Sequence, residues 1–438
     1  MVFSSLPFLF LFLTVVLLVS HILPFRFRNF FLLLANLVFY AYGEPVYVLI
    51  MIGSILVNFF AGLLMDKQST QGRRRAVLVV GIVLNLAALG VFKYAGLFVS
   101  TLREIPGLSS LPEVDIALPI GISFYTFQAV SYLIDVYWDD CAASHNLINF
   151  ASYISLFPQL IAGPIVRYKD VNEQLVSRRE TPTLFNSGVR LFVVGLAKKV
   201  LLANQFGMLW DAMSADPVAA GALGAWAGAC AYTLQIYFDF AGYSDMARGL
   251  GRMLGFEFCI NFNYPYISKS VTEFWRRWHI SLSTWFRDYV YIPLGGSRVG
   301  KARWVRNLVI VWGLTGLWHG AAWNFVAWGL YFAAFLLLEK LFLGRWLKRV
   351  PVLGHVYVLL AALFSFVLFD AASVPAALGT AGGLLGLGGL PLWDSGALYY
   401  LRSYAPVLAL AAVGSTPLPA ALCRRIAAGR AGRVLDAL

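Results

Sequence analysis

The chain has 438 residues, of which 60% are hydrophobic, 16% aromatic and only 13% charged. Its mean hydropathy of +0.72 excludes a water-soluble protein, because too few polar residues are available to cover a surface. Lys and Arg number 34 against 22 Asp and Glu, giving a net charge of +12. In a soluble chain that charge would point to nucleic acid, but these cations cluster in short segments between apolar runs, as cytoplasmic loops of membrane proteins do.

Ten apolar runs reach or approach the roughly 20 residues needed to cross a bilayer. They cover 6–24, 29–43, 45–65, 76–98, 118–138, 184–206, 219–240, 307–339, 353–376 and 397–415. Unpaired backbone groups are not tolerated in hydrocarbon, so such runs have to be helices, and weak alternation argues against a barrel. The sequence predicts an all-α fold, a polytopic membrane helix bundle of about ten spans that forms a single domain over 1–438.

The distribution of basic residues predicts which loops face the cytoplasm. The basic clusters are Arg26/Arg28, Lys67/Arg73/Arg74/Arg75, Arg167/Lys169/Arg178/Arg179, Arg276/Arg277/Arg287, Arg298/Lys301/Arg303/Arg306, Lys340/Arg345/Lys348/Arg349 and Arg424/Arg425/Arg430/Arg433. Loops 104–117 and 207–218 and the glycine-rich stretch 380–390 are acidic or poor in charge and are assigned to the outside. The charge pattern thus predicts a protein that crosses a membrane several times.

Two segments break the alternation of sides. Residues 147–165 are short and contain Pro158, Gly163 and Pro164, which predicts a re-entrant segment, although an ordinary short span remains an alternative. Residues 307–339 are too long for one span and too short for two with a loop, yet both ends are basic. Either a hairpin that turns near His319-Gly320 or one long tilted helix fits this pattern.

The chain has five histidines, and His319 is the leading candidate for chemistry. An ionisable residue inside a membrane segment is costly and usually faces a polar cavity, although a histidine bonded to a neighbouring helix is the plainer alternative. Trp318, Trp323 and Asn324 beside it offer walls and a polar group. His21 and His145 are expected to be structural, and His355 to snorkel or cap a helix.

His279 lies in segment 268–296, which has the pattern of an amphipathic helix at the cytoplasmic interface. Ser270 and Glu273 form a possible capping box at its start. The apolar stripe contains Phe274, Trp278, Leu282, Trp285 and Tyr289. Arginines that simply meet lipid phosphates would explain part of the same pattern.

Upstream, an apolar run leads into Asp239 and Asp245. A carboxylate there either orients a histidine or binds a cation, or instead pairs with Arg248 or Arg252. No metal site is predicted, since the four cysteines lack CxxC spacing. The sequence also lacks HExxH, P-loop and GxSxG motifs. What remains is a possible two-histidine site suited to general-base catalysis.

Five sequence blocks in this order resemble the membrane-bound O-acyltransferase family, over roughly residues 25–345. They are LPIGISFYTFQAVSYLIDVY (118–137), LFPQLIAGPIVRY (156–168), YFDFAGYSDMARGLGRMLGF (237–256), FNYPYISKSVTEFWRRWHISLSTWFRDYVYIPLGG (262–296) and LWHGAAWNFVAWGLYF (317–332). Within the family they are most similar to the bacterial membrane subunits of alginate O-acetylation. The resemblance implies a funnel or tunnel that reaches a buried catalytic histidine, His319, with His279 as the second polar position.

The resemblance also implies the substrates and partners. An acyl group, acetyl above all, is taken from a cytoplasmic thioester, either acetyl-CoA or an acyl-carrier protein, and passed across the membrane to a periplasmic acetyltransferase partner that modifies an exported polysaccharide made by a synthase complex. No cofactor is expected to stay bound. The residues expected to bind substrate are Trp318, Trp323, Asn324, Trp278, Asp239, Arg276 and Arg277, with Asn324 a possible oxyanion donor. A transporter or a non-catalytic scaffold of a polysaccharide synthase remains the alternative, and the sequence leaves the polymer open.

Overall fold

The structure is a computed structural model that describes residues 1–214, 217–387, 389 and 391–428. Only the backbone is described for 217–220. The predicted outer loops at 207–218 and 380–390 therefore fall partly outside the described residues, and Arg430 and Arg433 fall wholly outside them. All regular secondary structure in the described part is helical, which confirms the all-α prediction.

The amino-terminal half is a series of helices joined by short connections. They are α1 (Leu13–Ile22), α2 (Phe25–Gly43), α3 (Val48–Asp66), α4 (Gln71–Leu89), α5 (Ala95–Arg103), α6 (Ile122–Tyr137), α7 (Leu147–Ser155), α8 (Phe157–Leu160), α9 (Tyr168–Ser177), α10 (Pro182–Ala197) and α11 (Asn204–Ser214). Turns of π-helix precede α1 at Pro7–Phe12, join α4 to α5 at Gly90–Tyr94, and join α10 to α11 at Lys198–Ala203.

The carboxyl-terminal half begins with the longest helix of the described part. The helices are α12 (Pro217–Met253), α13 (Val271–Trp275), α14 (Ile280–Phe286), α15 (Lys301–His319), α16 (Trp323–Leu338), α17 (Gly344–Arg349), α18 (Pro351–Asp370), α19 (Val374–Leu384), α20 (Ser395–Gly414) and α21 (Leu418–Ala428). A 3-10 turn lies at Pro265–Ile267, and π-helical turns lie at Arg287–Tyr291 and Glu339–Leu343. Helix α12 has a kink at Gly221, where φ is 64°.

Five helical stretches of the described part are long and apolar enough to cross a membrane. They are Val48–Asp66, Gln71–Arg103, Pro182–Ser214, Trp323–Arg349 and Pro351–Asp370. Helices α20 and α21 together form a sixth candidate, bent by 72°. The protein is thus a multi-pass helical membrane protein with five or six such stretches, where the sequence predicts about ten spans. Several predicted spans end up on shorter helices, such as α6 with its 16 residues.

Residues 307–339 form the hairpin that the sequence offers as one of two alternatives. Helix α15 ends at His319, the chain turns through 320–322, and α16 returns antiparallel beside it. Two glycines allow the contact: a Cβ on Gly316 would collide with the backbone of Phe325, and a Cβ on Gly329 with that of Trp312. The hairpin therefore fixes His319 at a turn between two tightly packed helices.

Residues 147–165 also have the broken backbone that the sequence predicts. Helices α7 and α8 are separated at Leu156, and every side chain from Phe150 to Leu160 is buried. The amide oxygen of Asn36 accepts a hydrogen bond from the backbone N–H of Phe157 at the break, at 3.1 Å. Neither helix alone is long enough to cross a bilayer.

The prediction of one continuous interfacial helix over 268–296 is wrong. The helix breaks after Trp275 and restarts only at Ile280, because His279 adopts a left-handed conformation with φ 42°. The apolar stripe is instead buried within the protein, with Trp278 and Trp285 only 4% and 6% exposed. Tertiary hydrogen bonds, described below, hold the break, and no local sequence signal shows it.

One of the two hydrogen bonds of the predicted capping box is formed in the same segment. The hydroxyl of Ser270 accepts a hydrogen bond from the backbone N–H of Glu273 at 3.0 Å. The carboxylate of Glu273 turns back to the backbone N–H of Lys269, also at 3.0 Å. Helix α13 therefore begins where the sequence places it.

The aromatic core surrounds the place where these irregular segments meet. One hydrophobic cluster joins α1–α3, α6–α9 and the end of α12, and a second joins α11–α13, α15, α16 and α18. A smaller cluster of Phe127, Trp285, Phe286 and Trp318 lies on α6, α14 and α15. The break at His279 and the hairpin turn at His319 both border these clusters.

Candidate active site

His319 is the last residue of α15, at the turn of the hairpin. Its ring lies among aromatic rings, with centroid distances of 4.9 Å to Trp328, 5.0 Å to Trp318 and 5.3 Å to Phe369. Its Nε2 atom is buried and has no hydrogen-bond partner in the described protein. A buried polar atom without a hydrogen-bond partner destabilises the fold, so its presence indicates that a substrate supplies the missing hydrogen bond.

His279 faces the same space as His319. The two ring centroids are 6.4 Å apart, and the Nε2 of His279 is likewise buried without a partner. Both imidazoles line a cavity of about 320 Å³, whose other walls come from 118–124, Ile161, Phe240, Lys93 and Trp318. The structure therefore brings together the two histidines that the sequence singles out.

The left-handed backbone at His279 is held by one buried residue, Asn261. Its backbone carbonyl accepts the N–H of Ile280 at 2.9 Å. Its side-chain oxygen accepts the backbone N–H of Ser281 at 3.2 Å and the Ser281 hydroxyl at 2.9 Å. A non-glycine residue in this region costs of order 1–3 kcal/mol and persists only where its surroundings over-determine it.

The same asparagine fixes the protonation pattern of His279. A backbone N–H can only donate, so the Asn261 atom that meets the Ser281 N–H is the oxygen. That oxygen also lies 3.2 Å from Nδ1 of His279, and an amide oxygen can only accept. Nδ1 of neutral His279 therefore carries the proton, and the unpartnered Nε2 carries the lone pair.

The network continues into the segments around it. The hydroxyl of Ser281 accepts the backbone N–H of Ile165 at 3.0 Å, and the amide nitrogen of Asn261 donates to the hydroxyl of Ser244 at 3.1 Å. These hydrogen bonds connect α12, α14 and the chain after α8 to the network around Asn261. Sequence reasoning misses Asn261, because an asparagine in a loop has no distinguishing pattern until its partners are known.

Sequence reasoning also misses Lys93, which lines the histidine cavity. Its ammonium donates to the carbonyl oxygen of Trp318 and, at 3.0 Å, to the hydroxyl of Ser123. The available signal was a single cation within the apolar run 76–98, since such a residue marks a functional site by default.

A second, more polar cavity of about 700 Å³ lies at the opposite end of the α15–α16 hairpin. Its walls carry four exposed cations, which are Lys269, Arg276, Lys340 and Lys348. No carboxylate of the described residues lies within 4 Å of the side-chain nitrogens of these four. We call this space the basic cavity.

Two carboxylates also line the basic cavity, but both are used elsewhere. Glu339 accepts the backbone N–H groups of Val271 and Thr272 and so caps α13. Glu273 pairs with Arg277 at 3.0 Å. The four cations therefore outnumber the carboxylates, and the cavity favours an anion.

One layer of aromatic side chains separates the two cavities, which share no lining residue. Trp328 contacts the ring of His319 at 4.9 Å and Trp275 at 5.7 Å. Trp275 directly precedes Arg276 of the basic cavity and stacks edge-on against Trp312 at 4.6 Å. The described conformation is closed at this layer.

The other residues expected to bind substrate are dispersed. Trp318 lines the histidine cavity, as expected. Trp278 packs between Phe274 and Phe366 in the core, while Trp323 is 55% exposed and donates to the hydroxyl of Thr101 at 3.3 Å. Neither Trp278 nor Trp323 lines the histidine cavity.

Three polar residues have partners that differ from the expected ones. The amide nitrogen of Asn324 donates to the backbone carbonyls of 369 and 371, so no hydrogen is left for an oxyanion and that expectation is corrected. Asp239 pairs with Lys199 at 2.7 Å and with neither Arg248 nor Arg252. Asp245 does lie 3.5 Å from Arg248, as one alternative predicts, and it also pairs with Lys198 at 2.6 Å. Arg277 is held by Glu273, whereas Arg276 lines the basic cavity.

The remaining histidines have structural partners, as predicted. His21 lies 2.8 Å from the carbonyl of Leu17, and His145 lies 3.4 Å from the carboxylate of Asp66. His355 contacts the carbonyl oxygen of Ser268 at 3.0 Å. None of the three lies on the histidine cavity.

Comparison with known proteins gives a consistent assignment. The family model of MBOAT, membrane-bound O-acyltransferase family, matches residues 139–374. The probable alginate O-acetylase AlgI of Pseudomonas aeruginosa is 47% identical over 78% of this chain and 66% of its own length. Its counterpart in Azotobacter vinelandii is 44% identical over 86% of this chain and 76% of its own length.

A more distant relative has another polymer in its name. The peptidoglycan O-acetyltransferase of Helicobacter pylori is 33% identical over 84% of this chain and 75% of its own length. The region matched by the family model, residues 139–374, contains both cavity histidines and the α15–α16 hairpin. The chain belongs to the membrane-bound O-acyltransferase family, whose members are enzymes that transfer acyl groups to oxygen.

Proposed function

We propose that this chain transfers an acetyl group from a thioester donor to a hydroxyl acceptor, with His319 as the general base. The observation that carries the proposal is that the His319 ring, whose buried Nε2 has no protein partner, lines a cavity shared with His279. An imidazole near neutrality accepts the proton of an attacking hydroxyl well. The aromatic walls exclude water that would otherwise hydrolyse the donor.

The reaction follows from these positions. The acceptor oxygen attacks the thioester carbon while its proton passes to Nε2 of His319. The carbonyl π electrons move onto oxygen and give a tetrahedral intermediate. When the intermediate collapses, the C–S bond breaks, its electron pair stays on sulfur, and the imidazolium returns the proton to give a free thiol and an ester.

His279 is proposed as the second acceptor in the cavity. With Nδ1 bonded to Asn261, its Nε2 presents a lone pair at a fixed orientation. A substrate hydroxyl bonded there would be held between the two imidazoles, whose centroids are 6.4 Å apart. Such positioning supplies part of the rate enhancement, since the reacting groups no longer have to find each other.

The basic cavity supports an anionic donor. Acetyl-CoA carries phosphates, and an acyl-carrier protein has an acidic surface, so either is attracted to Lys269, Arg276, Lys340 and Lys348. The charge pattern of the sequence assigns these residues to the cytoplasm. The thioester is proposed to reach His319 through the aromatic layer at Trp275 and Trp328 when that layer opens.

The membrane arrangement is proposed on the same basis. The buried helices α7 and α8 support a re-entrant segment, because broken backbone at membrane depth needs surrounding protein. A bundle of about ten spans with a central funnel, located in a bacterial cytoplasmic membrane, would present the histidine cavity toward the outside. The acetyl group would then cross the membrane between two sides of one protein.

The acceptor pathway is proposed from the relatives. Two of them are named for alginate O-acetylation and one for peptidoglycan O-acetylation. We propose that this chain supports O-acetylation of an exported polysaccharide such as alginate, together with a periplasmic acetyltransferase and the synthase machinery. A transporter or a non-catalytic scaffold is the alternative.

The decisive experiment is His319→Ala in purified protein supplied with labelled acetyl-CoA or acetylated carrier protein. Removing a general base is expected to lower thiol release and acetyl transfer by about 100- to 10,000-fold. His145→Ala is the matched control, because that imidazole is exposed and pairs with Asp66 away from the cavity. Full activity in the His319 variant would remove it from the mechanism, and movement of intact substrate without thiol release would favour the transporter.

A further inference from the structure

Lys93 has more donors than the protein accepts from it. It lies in the π-helical turn between α4 and α5, inside the membrane-length stretch Gln71–Arg103. An ammonium group has three N–H donors. Two of them are used, by the carbonyl of Trp318 and the hydroxyl of Ser123. Within the described residues no carboxylate lies within 4 Å of this cation, and the third donor has no hydrogen-bond acceptor on the protein. Its other contacts are the rings of Tyr94 and Trp318, whose centroids are each 5.9 Å from Nζ.

The unused donor belongs to a group on the wall of the reaction cavity. Lys93 lines the space that holds His279 and His319, and it binds the carbonyl of the residue directly before His319. A buried cation without a counter-ion is costly, and such a group is retained where negative charge arrives or develops. The cavity therefore contains two proton acceptors and one fixed positive charge.

Helix capping explains only part of this arrangement. The last carbonyls of α15 lack partners within the helix, and Lys93 satisfies one of them. Its neighbour Tyr94 satisfies the next one with a neutral hydroxyl, which donates to the carbonyl of Leu317 at 2.7 Å. Capping at this position therefore does not require a charge, whereas the cavity contact of Lys93 remains unexplained by it.

We propose that Lys93 is a further catalytic residue, whose free N–H donates to the thioester carbonyl oxygen as that oxygen becomes negative. The inference rests on the acyl transfer proposed above. As the acceptor oxygen bonds to the acyl carbon, the carbonyl electron pair moves to oxygen beside the ammonium, and it returns when the C–S bond breaks. Lys93 keeps all its protons throughout, since His319 carries the transferred one.

The test is Lys93→Met, assayed by thiol release from acetyl-CoA with a uronic-acid oligosaccharide as acceptor. Removing one oxyanion donor lowers kcat by about 100- to 1,000-fold in other enzymes, and we expect a loss of that size with little change in KM. Lys93→Arg keeps the positive charge and is expected to recover at least about tenfold of the loss.

Tyr94→Phe is the matched control, because it removes a hydrogen bond between the same two segments and leaves the histidine cavity untouched. We expect it to keep activity within about twofold, as a single neutral hydrogen bond contributes only about 1 kcal/mol to stability. If Lys93→Met does not fold, Lys93→Gln keeps a donor for Trp318 without the charge, and at least a tenfold loss of kcat is expected there too.

The outcomes separate this inference from the proposed function. Equal losses in Lys93→Met and Tyr94→Phe, a rise in KM at unchanged kcat, or full activity of Lys93→Gln would each overturn the role of Lys93. In those cases wild-type protein still cleaves the thioester and His319→Ala does not. If wild-type protein releases no thiol from acetyl-CoA or an acetylated carrier protein, the proposed function itself fails.

Discussion

The histidine cavity and the basic cavity differ in how their polar groups are held. In the first, His279 is fixed by a hydrogen-bonded network, His319 is packed among aromatic rings, and Lys93 is tied to two acceptors. In the second, four long cationic side chains are exposed and unpaired. Proton transfer needs atoms held in a dry and rigid site, whereas capture of a large anion needs charge that water and ligand can reach.

The aromatic layer between the two cavities would keep capture of the donor apart from the chemical step. Trp275 and Trp328 lie between the charged cavity and the cavity of the two histidines. A thioester that entered the basic cavity would be bound before it was exposed to an acceptor. The comparison thus predicts that variants in the two cavities affect different kinetic constants, and three predictions test that division.

The largest effect is expected for His279→Asn. Asparagine tolerates the left-handed backbone at this position better than most residues, so the fold around φ 42° is retained while the imidazole is lost. We expect kcat to fall about 100-fold or more with an unchanged melting temperature, since a positioned acid–base group contributes that much. Thiol release and thermal unfolding of the same preparation are the measurements.

A His279→Asn variant with wild-type kcat would mean that His279 is only structural, and the histidine cavity would then contain a single functional imidazole. His355→Asn is the control, because His355 contacts a backbone carbonyl outside the cavity. We expect its kcat to stay within twofold of wild type, on the order of the error in such comparisons.

An intermediate effect is expected at Asn261, which positions His279. In Asn261→Ala the Ser281 N–H and the His279 ring lose their acceptor, at a cost of about 1–3 kcal/mol in stability for a buried group left unpaired. We expect kcat to fall roughly tenfold because Nδ1 no longer has to carry the proton. The stability loss is read from denaturant or thermal unfolding in detergent.

Asn261→Asp distinguishes positioning from general damage. A carboxylate accepts the same hydrogen bonds from His279 and Ser281, and the hydroxyl of Ser244 can donate to it in turn. We expect Asn261→Asp to recover most of the activity that Asn261→Ala loses. Equal kcat values for the two variants would show that Asn261 does not act through its oxygen.

The smallest effect is expected in the basic cavity. The double variant Lys340→Gln, Lys348→Gln is predicted to raise KM for acetyl-CoA about two- to tenfold at unchanged kcat, as exposed charges contribute about 0.2–1 kcal/mol each. The difference should shrink at 1 M salt, where the Debye length is only about 3 Å. Initial rates at two salt concentrations check both points.

Lys67→Gln is the matched control for this variant, since it removes an exposed cation that does not line the cavity. If the double variant lowered kcat instead of raising KM, the basic cavity would take part in the chemical step. The division between capture and chemistry would then be wrong.

The two regions also differ in how far sequence predicts them. The sequence predicts the positive charge of the basic cavity, because Arg276, Lys340 and Lys348 belong to clusters that flank apolar runs. The hairpin at His319 is predicted as one of two alternatives, and helix length decides between them. Lys93 is visible in the sequence as a single cation in an apolar run. Its role could not be predicted, because it depends on a contact with the carbonyl of Trp318, 225 positions away.

Segment 268–296 shows where periodicity fails. Its apolar residues recur at helical spacing and are all buried, yet the helix is broken at His279. A helical pattern indicates which side chains face apolar surroundings, and it does not show whether the backbone between them is continuous. The break depends on Asn261, whose distance in sequence hides the contact.

The sequence by itself determined that this chain is an all-helical membrane protein, that the O-acyltransferase family is its family, and that His279 and His319 are its leading polar positions. These conclusions follow from composition, charge and local motifs, which are properties of neighbouring residues. Only the tertiary structure decided that the two imidazoles share one cavity, that Asn261 sets the protonated nitrogen of His279, and that Lys93 joins them. Those facts depend on hydrogen bonds between residues far apart in the chain. A sequence pattern describes only residues that are close in the chain, so it cannot predict such contacts.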